Sequence, residues 1–388
     1  MGSYDAIVVG GGIIGGAIAF RLAQEKLRVV LLDGQTPGRE ASWAAAGMLS
    51  PAPDSPHSIP LVPLGRASLA LYPDFIAELH EITGREVGYR REGTIEVLFS
   101  PEAERELSTL IALHHGLGLA AEPLAVEEAR RLEPMLGREA RATALLPEEG
   151  CLDNRALTAA VLAAAASAGV EILADTQVTR LITEGARCSG VITGGRSISA
   201  GHVVLAAGAF CCRIEGVAPS VAVRPVRGQM VALHHAGAPL RRVLRSDHGY
   251  IVPRDDGSPQ RLVVGSTLEE AGFDKRVTPR GLDRILSAAQ ELAPSLAEAE
   301  VVESWSGLRP GTPDQLPLLG PGELEGLTFA TGHYRNGILL APVTAKLTRE
   351  WITERRVSLD WERFSPLRFG QADRSGSPSH FSLKKAQG

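Results

Sequence analysis

The feature that most constrains this chain is its opening stretch, where a glycine-rich turn separates two short apolar runs. Residues 5–9 and 27–32 read as strands, and residues 13–24 between them have helical periodicity with small residues on one face. Gly10, Gly12 and Gly15 take the G-x-G-x-x-G positions at the strand-to-helix turn. Gly10 allows the tight turn, Gly12 lets a pyrophosphate approach bare backbone, and Gly15 lets the helix pack closely on the strand. The helix N-terminus offers unpaired N–H groups to phosphate. Asp33 closes the second strand, where a carboxylate can accept hydrogen bonds from ribose hydroxyls. A glycine triplet alone is a weak signal. Strand, triplet, helix, strand and terminal acid in that order predict a site for an adenine dinucleotide.

A chain of 388 residues is too long for one simple core, so two domains are expected. Hydrophobic content of 44% and charged content of 22% are ordinary for a soluble globular protein. The net charge of −5, with only Lys384-Lys385 as a basic run, gives no electrostatic ground for binding nucleic acid. Cys151, Cys188, Cys211 and Cys212 show no C-x-x-C spacing. They are expected to be buried, inert thiols of a reducing compartment, forming neither disulfides nor a metal site. The first strand begins at once, which leaves no room for a signal peptide, and Ala6 stands where a myristoylation motif wants Ser or Thr. Residues 157–173, the most apolar long stretch, are interrupted by Ser167 and Glu171 and read as a core helix, not a membrane span. A cytoplasmic protein is expected, as a homo-oligomer.

Residues 34–63 form a long Gly-, Ala-, Ser- and Pro-rich loop, and loops of that length in compact domains are usually functional. Helices are expected over 63–83, 101–117, 125–136, 154–168 (capped by Asp153) and 281–292. One or two strands are expected within 87–99, and further strands over 170–173, 178–183, 188–193, 196–199 and 202–208, then over 226–234, 250–253, 261–266, 301–305 and 327–330. Residues 332–349 read as a Gly-rich turn followed by a helix, and 366–388 as a flexible tail. The pattern predicts an α/β fold with a discontinuous Rossmann-like nucleotide domain from residues 1–85, 145–222 and 306–365. An α+β substrate domain with a mainly antiparallel sheet comes from 86–144 and 223–305.

Four stretches are specific together: the opening fingerprint, residues 41–49 (Ala-Ser-Trp-Ala-Ala-Ala-Gly-Met-Leu), residues 307–314 (Gly-Leu-Arg-Pro-Gly-Thr-Pro-Asp) and residues 332–342 (Gly-His-Tyr-Arg-Asn-Gly-Ile-Leu-Leu-Ala-Pro). Residues 248–254 (His-Gly-Tyr-Ile-Val-Pro-Arg) add a fifth, shorter match. With them the chain resembles the D-amino-acid oxidase and glycine oxidase family of FAD enzymes, over nearly its whole length up to about Trp361. The resemblance implies FAD contacts from Ile13, Ile14, Asp33, Gly34, Ala41, Ser42, Ala46, Gly47, Met48 and Val178, and from His333, Tyr334, Arg335, Asn336, Gly337, Ile338 and Leu339. Small residues at 44–47 let backbone amides approach a flat isoalloxazine ring, and the helix after Gly337 can turn its N-terminus to the anionic edge of that ring. No cysteine lies beyond Cys212, so the FAD is expected to be non-covalent.

Arg309 follows an apolar strand and precedes Pro-Gly, a corner expected to fix a guanidinium that can clamp a carboxylate through two parallel hydrogen bonds. Tyr250 can add its hydroxyl to the same carboxylate, and His248 on the same strand is a weaker candidate. The family implies that the Arg335 backbone carbonyl orients the substrate amine while its side chain gates access. It also implies oxidation of glycine, sarcosine or small D-amino acids: hydride leaves the substrate Cα for the flavin, water hydrolyses the imine to an α-keto acid and ammonia, and O₂ takes the electrons as H₂O₂. A role in supplying imine for the thiazole of thiamine belongs to the same resemblance. Two other classes fit the motifs: a D-amino-acid dehydrogenase of the same fold that reduces a quinone, and a non-catalytic FAD-binding subunit of an oxidase complex. The C-terminal flavin loop disfavours an NAD-linked enzyme. One departure bears on substrate choice, because Thr267-Leu268 stands where glycine oxidases commonly have Thr-Met.

Overall fold

In the computed structural model, which describes residues 4–217, 222–254 and 257–369, the opening strand Tyr4–Val9 lies inside an eight-stranded sheet. It pairs in parallel with Val29–Leu32 on one side and Arg196–Leu205 on the other. Glu171–Leu173 extends the first flank, and Leu327–Thr331 with antiparallel Leu318–Pro321 extends the second. Successive residues of these strands face opposite sides. Ala6, Val8, Val29 and Leu31 pack under the helices Ile13–Gln24, Val62–Thr83, Asn154–Ser167 and Gly337–Glu354, whereas Ile7, Val9, Val30 and Leu32 pack towards Val178, Leu181 and Val191 of an antiparallel meander. Cover on both faces is why Val29–Leu32 is a fully apolar run with no alternation.

A second eight-stranded sheet runs in the order Glu300–Gly311, Arg224–His235, Gln260–Gly265, Tyr250–Pro253, Val243–Arg245, Thr94–Leu98, Ala142–Leu146 and Glu122–Leu124. Its pairings are antiparallel except that between Val243–Arg245 and Thr94–Leu98. One face buries Val231, Leu233, Ile251 and Val264 against Ile285, Ala289 and Leu292 of the amphipathic helix Pro279–Leu292. The opposite face carries Met230, Tyr250, Val252 and Trp305 and meets Ala44 and Ala46 from the 34–63 loop. The expected α/β class is thus present, with a discontinuous Rossmann-like part and a mainly antiparallel one. We propose domain boundaries after Leu146 and Gly311 in place of 145 and 306, because the expected ones cut the strands Ala142–Leu146 and Glu300–Gly311, which belong wholly to the antiparallel sheet.

Of the one or two strands expected within 87–99, one is present, Thr94–Leu98. Three expectations need correction. Residues 196–199 and the start of 202–208 are one strand, Arg196–Leu205, because the return strand of the meander continues straight into the parallel sheet. The tail does not begin at 366: Pro366–Phe369 is a short helical turn, and Arg368 binds both Asp314 oxygens at 2.8 and 3.0 Å and the Leu316 carbonyl at 2.8 Å. Residues 370–388 lie outside the described residues. All four cysteines are free, but Cys212 is exposed, and only Cys151, Cys188 and Cys211 are buried. Burial pushes the Cys151 and Cys211 thiols up to about 11. No described helix is long and apolar enough to cross a membrane.

His202 sits buried in the parallel sheet with Nε2 2.8 Å from Thr328 Oγ1. Burial first, then the nearby Arg355 and Arg187 charges, lower its pKa to about 4. Between the ordinary histidine value and that lowered one, the unfolded chain takes up a proton that the folded chain refuses. Stability should therefore fall as pH drops from about 6.5 to about 4, by up to about 3 kcal/mol for this residue. In denaturant titrations across that window, His202→Gln should flatten the pH dependence; an unchanged slope would show that His202 is not the titrating group.

Candidate active site

A cavity of about 670 Å³ lies between the two sheets, within the size range of small-molecule sites. At one end it passes the first turn. Gly10 has φ +107°, and a Cβ there would stand 2.5 Å from the Ala206 carbonyl oxygen, so the turn admits no side chain. The helix Ile13–Gln24 starts from Gly12 with no side-chain cap, its Ile13 N–H donating instead to Ser42 Oγ at 2.9 Å. The next amides of that first turn are the kind of unpaired donors that hold a phosphate. Asp33 accepts from the Gly11 and Gln35 amides at 2.7 and 2.9 Å, one on each carboxylate oxygen. This ties the turn to the loop, and each oxygen keeps a lone pair for a hydroxyl. Burial nevertheless raises the Asp33 pKa.

Residues 41–48 form the long wall. Ala41–Ala44 is a single helical turn, and Gly47 (φ +73°) passes so close to Leu152 that a Cβ would stand 2.1 Å from its carbonyl oxygen. This backbone is held from behind. Asn154 Nδ2 donates to the Ser42 and Trp43 carbonyls at 2.7 and 3.1 Å, and Arg254 donates to the Ala46 carbonyl at 2.7 Å and to Asn154 Oδ1 at 2.9 Å. Arg155 stacks on Trp43 and Trp305 while pairing with both oxygens of Glu303 at 3.0 Å. Opposite this wall, the helix Gly337–Glu354 starts at Asn336 with no side-chain cap and leaves its first amides to the cavity. His333 beside it is buried, and burial pulls its pKa down to about 3, so the ring is neutral; its Nε2 is 3.1 Å from Thr344 Oγ1.

Arg309 forms the far end. It stands within the strand Glu300–Gly311, opposite Val226, and not at a corner after it, so strand pairing fixes its backbone. Its guanidinium lies across Gly228 of the neighbouring strand, where a Cβ would fall 2.1 Å from Nη1 and 2.4 Å from Cζ. Among the described residues it meets no carboxylate. Nη1 donates to the Thr267 carbonyl at 3.1 Å and Nη2 to Ser266 Oγ at 2.7 Å, both neutral acceptors. Burial, followed by the Arg335 charge, lowers the Arg309 pKa, while Tyr250 acts in the other direction. Tyr250 projects into the same space, its hydroxyl donating only to Met230 Sδ, a weak acceptor 3.4 Å away.

Of the residues expected to touch the cofactor, all but Gly15 and Leu339 line this cavity. Gly15 lies behind it, where a Cβ would stand 1.9 Å from the Gly10 carbonyl oxygen, and Leu339 is buried in the helical core. Arg309, Tyr250 and Arg335 also line it. His248 does not. The turn closed by Ser246 N–H to the Gly249 carbonyl swings its exposed side chain to Glu291, 2.6 Å from Nδ1. Sequence reasoning missed Gly228, Ser266, Met230, Asn154 and the supporting role of Arg254. Gly228 had a readable signal, a glycine inside a strand, which marks a close approach. The others act through contacts distant in sequence.

The glycine turn, the two uncapped helix starts and the small-residue wall define a dinucleotide-dependent oxidoreductase, and the space they leave fits FAD. A sequence model of the FAD dependent oxidoreductase family matches residues 5–351. The glycine oxidase of Geobacillus kaustophilus is 38% identical over 369 residues, 94% of this chain and 97% of the relative. The bifunctional protein ThiO/ThiG of a Synechocystis species is 37% identical over 94% of this chain, which matches 54% of that longer protein. The crystal structure of the Geobacillus kaustophilus glycine oxidase superposes with a TM-score of 0.89 at 37% identity, covering 95% of this chain and 99% of that one. The chain belongs to the FAD dependent oxidoreductase family, and its cofactor is FAD.

Asp33→Ala should weaken FAD binding by roughly ten- to a hundred-fold, the loss of one or two hydrogen bonds to a charged acceptor. Turnover at saturating FAD should change only a few-fold, since Asp33 lies at the end of the cavity remote from Arg309. Quenching of flavin fluorescence on titration into the apoprotein measures this. Equal affinity in mutant and parent would make Asp33 a strand-end residue with no part in the site.

Proposed function

We propose that this chain catalyses the FAD-dependent oxidative deamination of glycine, sarcosine or small D-amino acids to an α-keto acid, ammonia (or an amine) and H₂O₂, with O₂ as electron acceptor. The observation that carries the proposal is Arg309, a guanidinium deep in the protein, open to the cavity and without a carboxylate partner among the described residues. A charge so placed calls for an anion from outside, and a planar carboxylate matches its fork. Likeness to glycine oxidases along the whole chain supports the choice of small amino acids.

FAD supplies the acceptor for hydride from the substrate Cα, so the work left to the chain is placement. Arg309 holds the carboxylate, and the Tyr250 hydroxyl can turn from Met230 to the same group. The Tyr334 N–H donates to the Pro310 carbonyl at 3.1 Å, which ties the strand of Arg309 to the turn before the Gly337–Glu354 helix. Carboxylate anchor and flavin wall therefore keep a fixed spacing. In this reading the Arg335 carbonyl orients the neutral amine, whose lone pair assists departure of the hydride. The Arg335 side chain pairs with Asp54 at 2.7 Å, bridging the 34–63 loop and the C-terminal turn, a contact suited to gating entry. Likeness to ThiO/ThiG supports delivery of the glycine imine to thiamine thiazole synthesis. The free thiols accord with a reducing cytoplasm, and a homo-oligomer belongs to the same proposal.

Arg309→Met keeps the apolar stem and removes the fork. It should lower kcat/KM for glycine by roughly a thousand-fold or more, with FAD binding nearly unchanged, as read by peroxide release and flavin absorbance. Arg309→Lys should recover only part, because a point charge cannot form the two parallel bonds. Near-parental oxidation of glycine by the Met variant would place the anchor elsewhere.

A further inference from the structure

The two groups that hold Arg309 differ in what they have left to give. The Thr267 carbonyl only accepts, whereas the Ser266 hydroxyl, accepting from Nη2 at 2.7 Å, keeps its own proton. Ser266 lines the cavity, and among the described residues that proton has no acceptor. The neighbouring Thr267 hydroxyl is fully engaged, accepting from the Gln229 amide at 2.9 Å and donating to Glu269 at 2.5 Å. Ser266 therefore offers the cavity a hydroxyl donor beside the guanidinium that Thr267 does not.

The guanidinium itself has little freedom to move. Gly228 lies beneath it, and Gly307, opposite Gly228 in the pairing, has Ala44 over it, with a Cβ at Gly307 falling 2.4 Å from the Ala44 Cβ. Two of the five N–H groups of Arg309 are engaged by residues 266 and 267, which leaves three for a ligand. Ser266 Oγ, 2.7 Å from Nη2, lines the same cavity that a carboxylate on those N–H groups would enter.

We propose that Ser266 is a third carboxylate-binding group beside Arg309 and Tyr250, accepting a hydrogen bond from Arg309 and donating its own to the substrate carboxylate. This rests on the reading that Arg309 anchors that carboxylate. The arrangement closes a ring of hydrogen bonds in which each member polarises the next. It selects for an ionised carboxylate, because an amide at the same place would turn an N–H group towards these donors.

The test uses the FAD-loaded full chain, with acetate as a carboxylate that has no amine. Ser266→Ala should weaken acetate binding, followed by the change in flavin absorbance, by roughly tenfold, and raise KM for glycine similarly with kcat changed only a few-fold. Ser266→Thr, which restores a hydroxyl, should recover most of both. In an Arg309→Lys background Ser266→Ala should still weaken acetate several-fold, as a direct contact requires. Parental acetate and glycine affinity in Ser266→Ala, or no further loss in the Lys background, overturns the proposal. Retained acetate binding by Arg309→Met would instead overturn the anchor reading beneath it.

Discussion

A guanidinium deep in a protein, with no carboxylate partner among the described residues, is the constraint on which the rest of this structure turns. Arg309 keeps its charge at ordinary pH, yet the fold gives it a serine hydroxyl, a backbone carbonyl and the Tyr250 side chain, and no carboxylate among the described residues. Removing such a charge from water without an opposite charge is costly, and the cost falls when an anion arrives. Other buried arginines are paired or held by the fold. Arg245 meets Glu96 and Glu149, and Arg227 meets Glu269 and Asp274. Arg254 donates to the Leu152 and Ala46 carbonyls and to Asn154 Oδ1. Arg309 differs in facing the cavity with no carboxylate partner among the described residues.

Pairing across the antiparallel sheet explains how that charge comes to lie beside the cofactor. Gly228 and Gly307 stand opposite each other, and together they clear one face of the sheet. The Arg309 guanidinium occupies the space over Gly228, and Ala44 from the cofactor loop occupies the space over Gly307. Two residues without side chains thus bring a carboxylate anchor on one sheet against the FAD wall of the other. Asn154, Arg254 and the Arg155–Glu303 pair fix the wall from behind, so the spacing is set by hydrogen bonds and packing before any ligand binds. Such pre-organisation is what an enzyme needs when its cofactor performs the bond-making step.

Much of this was legible in the sequence, for physical reasons that also mark where reading stopped. The first βαβ unit is local: its glycines, its small helix face and Asp33 lie within three dozen residues, so pattern alone placed them. Strands buried on both faces and the capped helix after Asp153 were legible for the same reason. The substrate end is built from pairs distant in the chain, and there residue types were found more readily than their settings. Arg309 stands out by residue type, and Pro310 after it suggests a corner; the strand instead continues, with Pro310 paired to Pro225. Spacing from Tyr250 suggests that His248 shares the site face, yet the turn at 246–249 breaks strand geometry before the alternation can apply. Ser266 and Asn154 carried no local signal, since each matters only through a partner dozens of residues away or more.

The central claim is that one cavity joins bound FAD to a carboxylate anchor so that a small amino acid is oxidised there. The most direct measurement is anaerobic mixing of the purified, FAD-loaded protein with glycine while the visible flavin band is followed, with air readmitted afterwards. The account predicts bleaching of the flavin in proportion to the enzyme present, then return of the colour with a matching yield of H₂O₂. A flavin that keeps its colour with glycine, sarcosine and D-proline alike, in a protein that holds FAD, would contradict it.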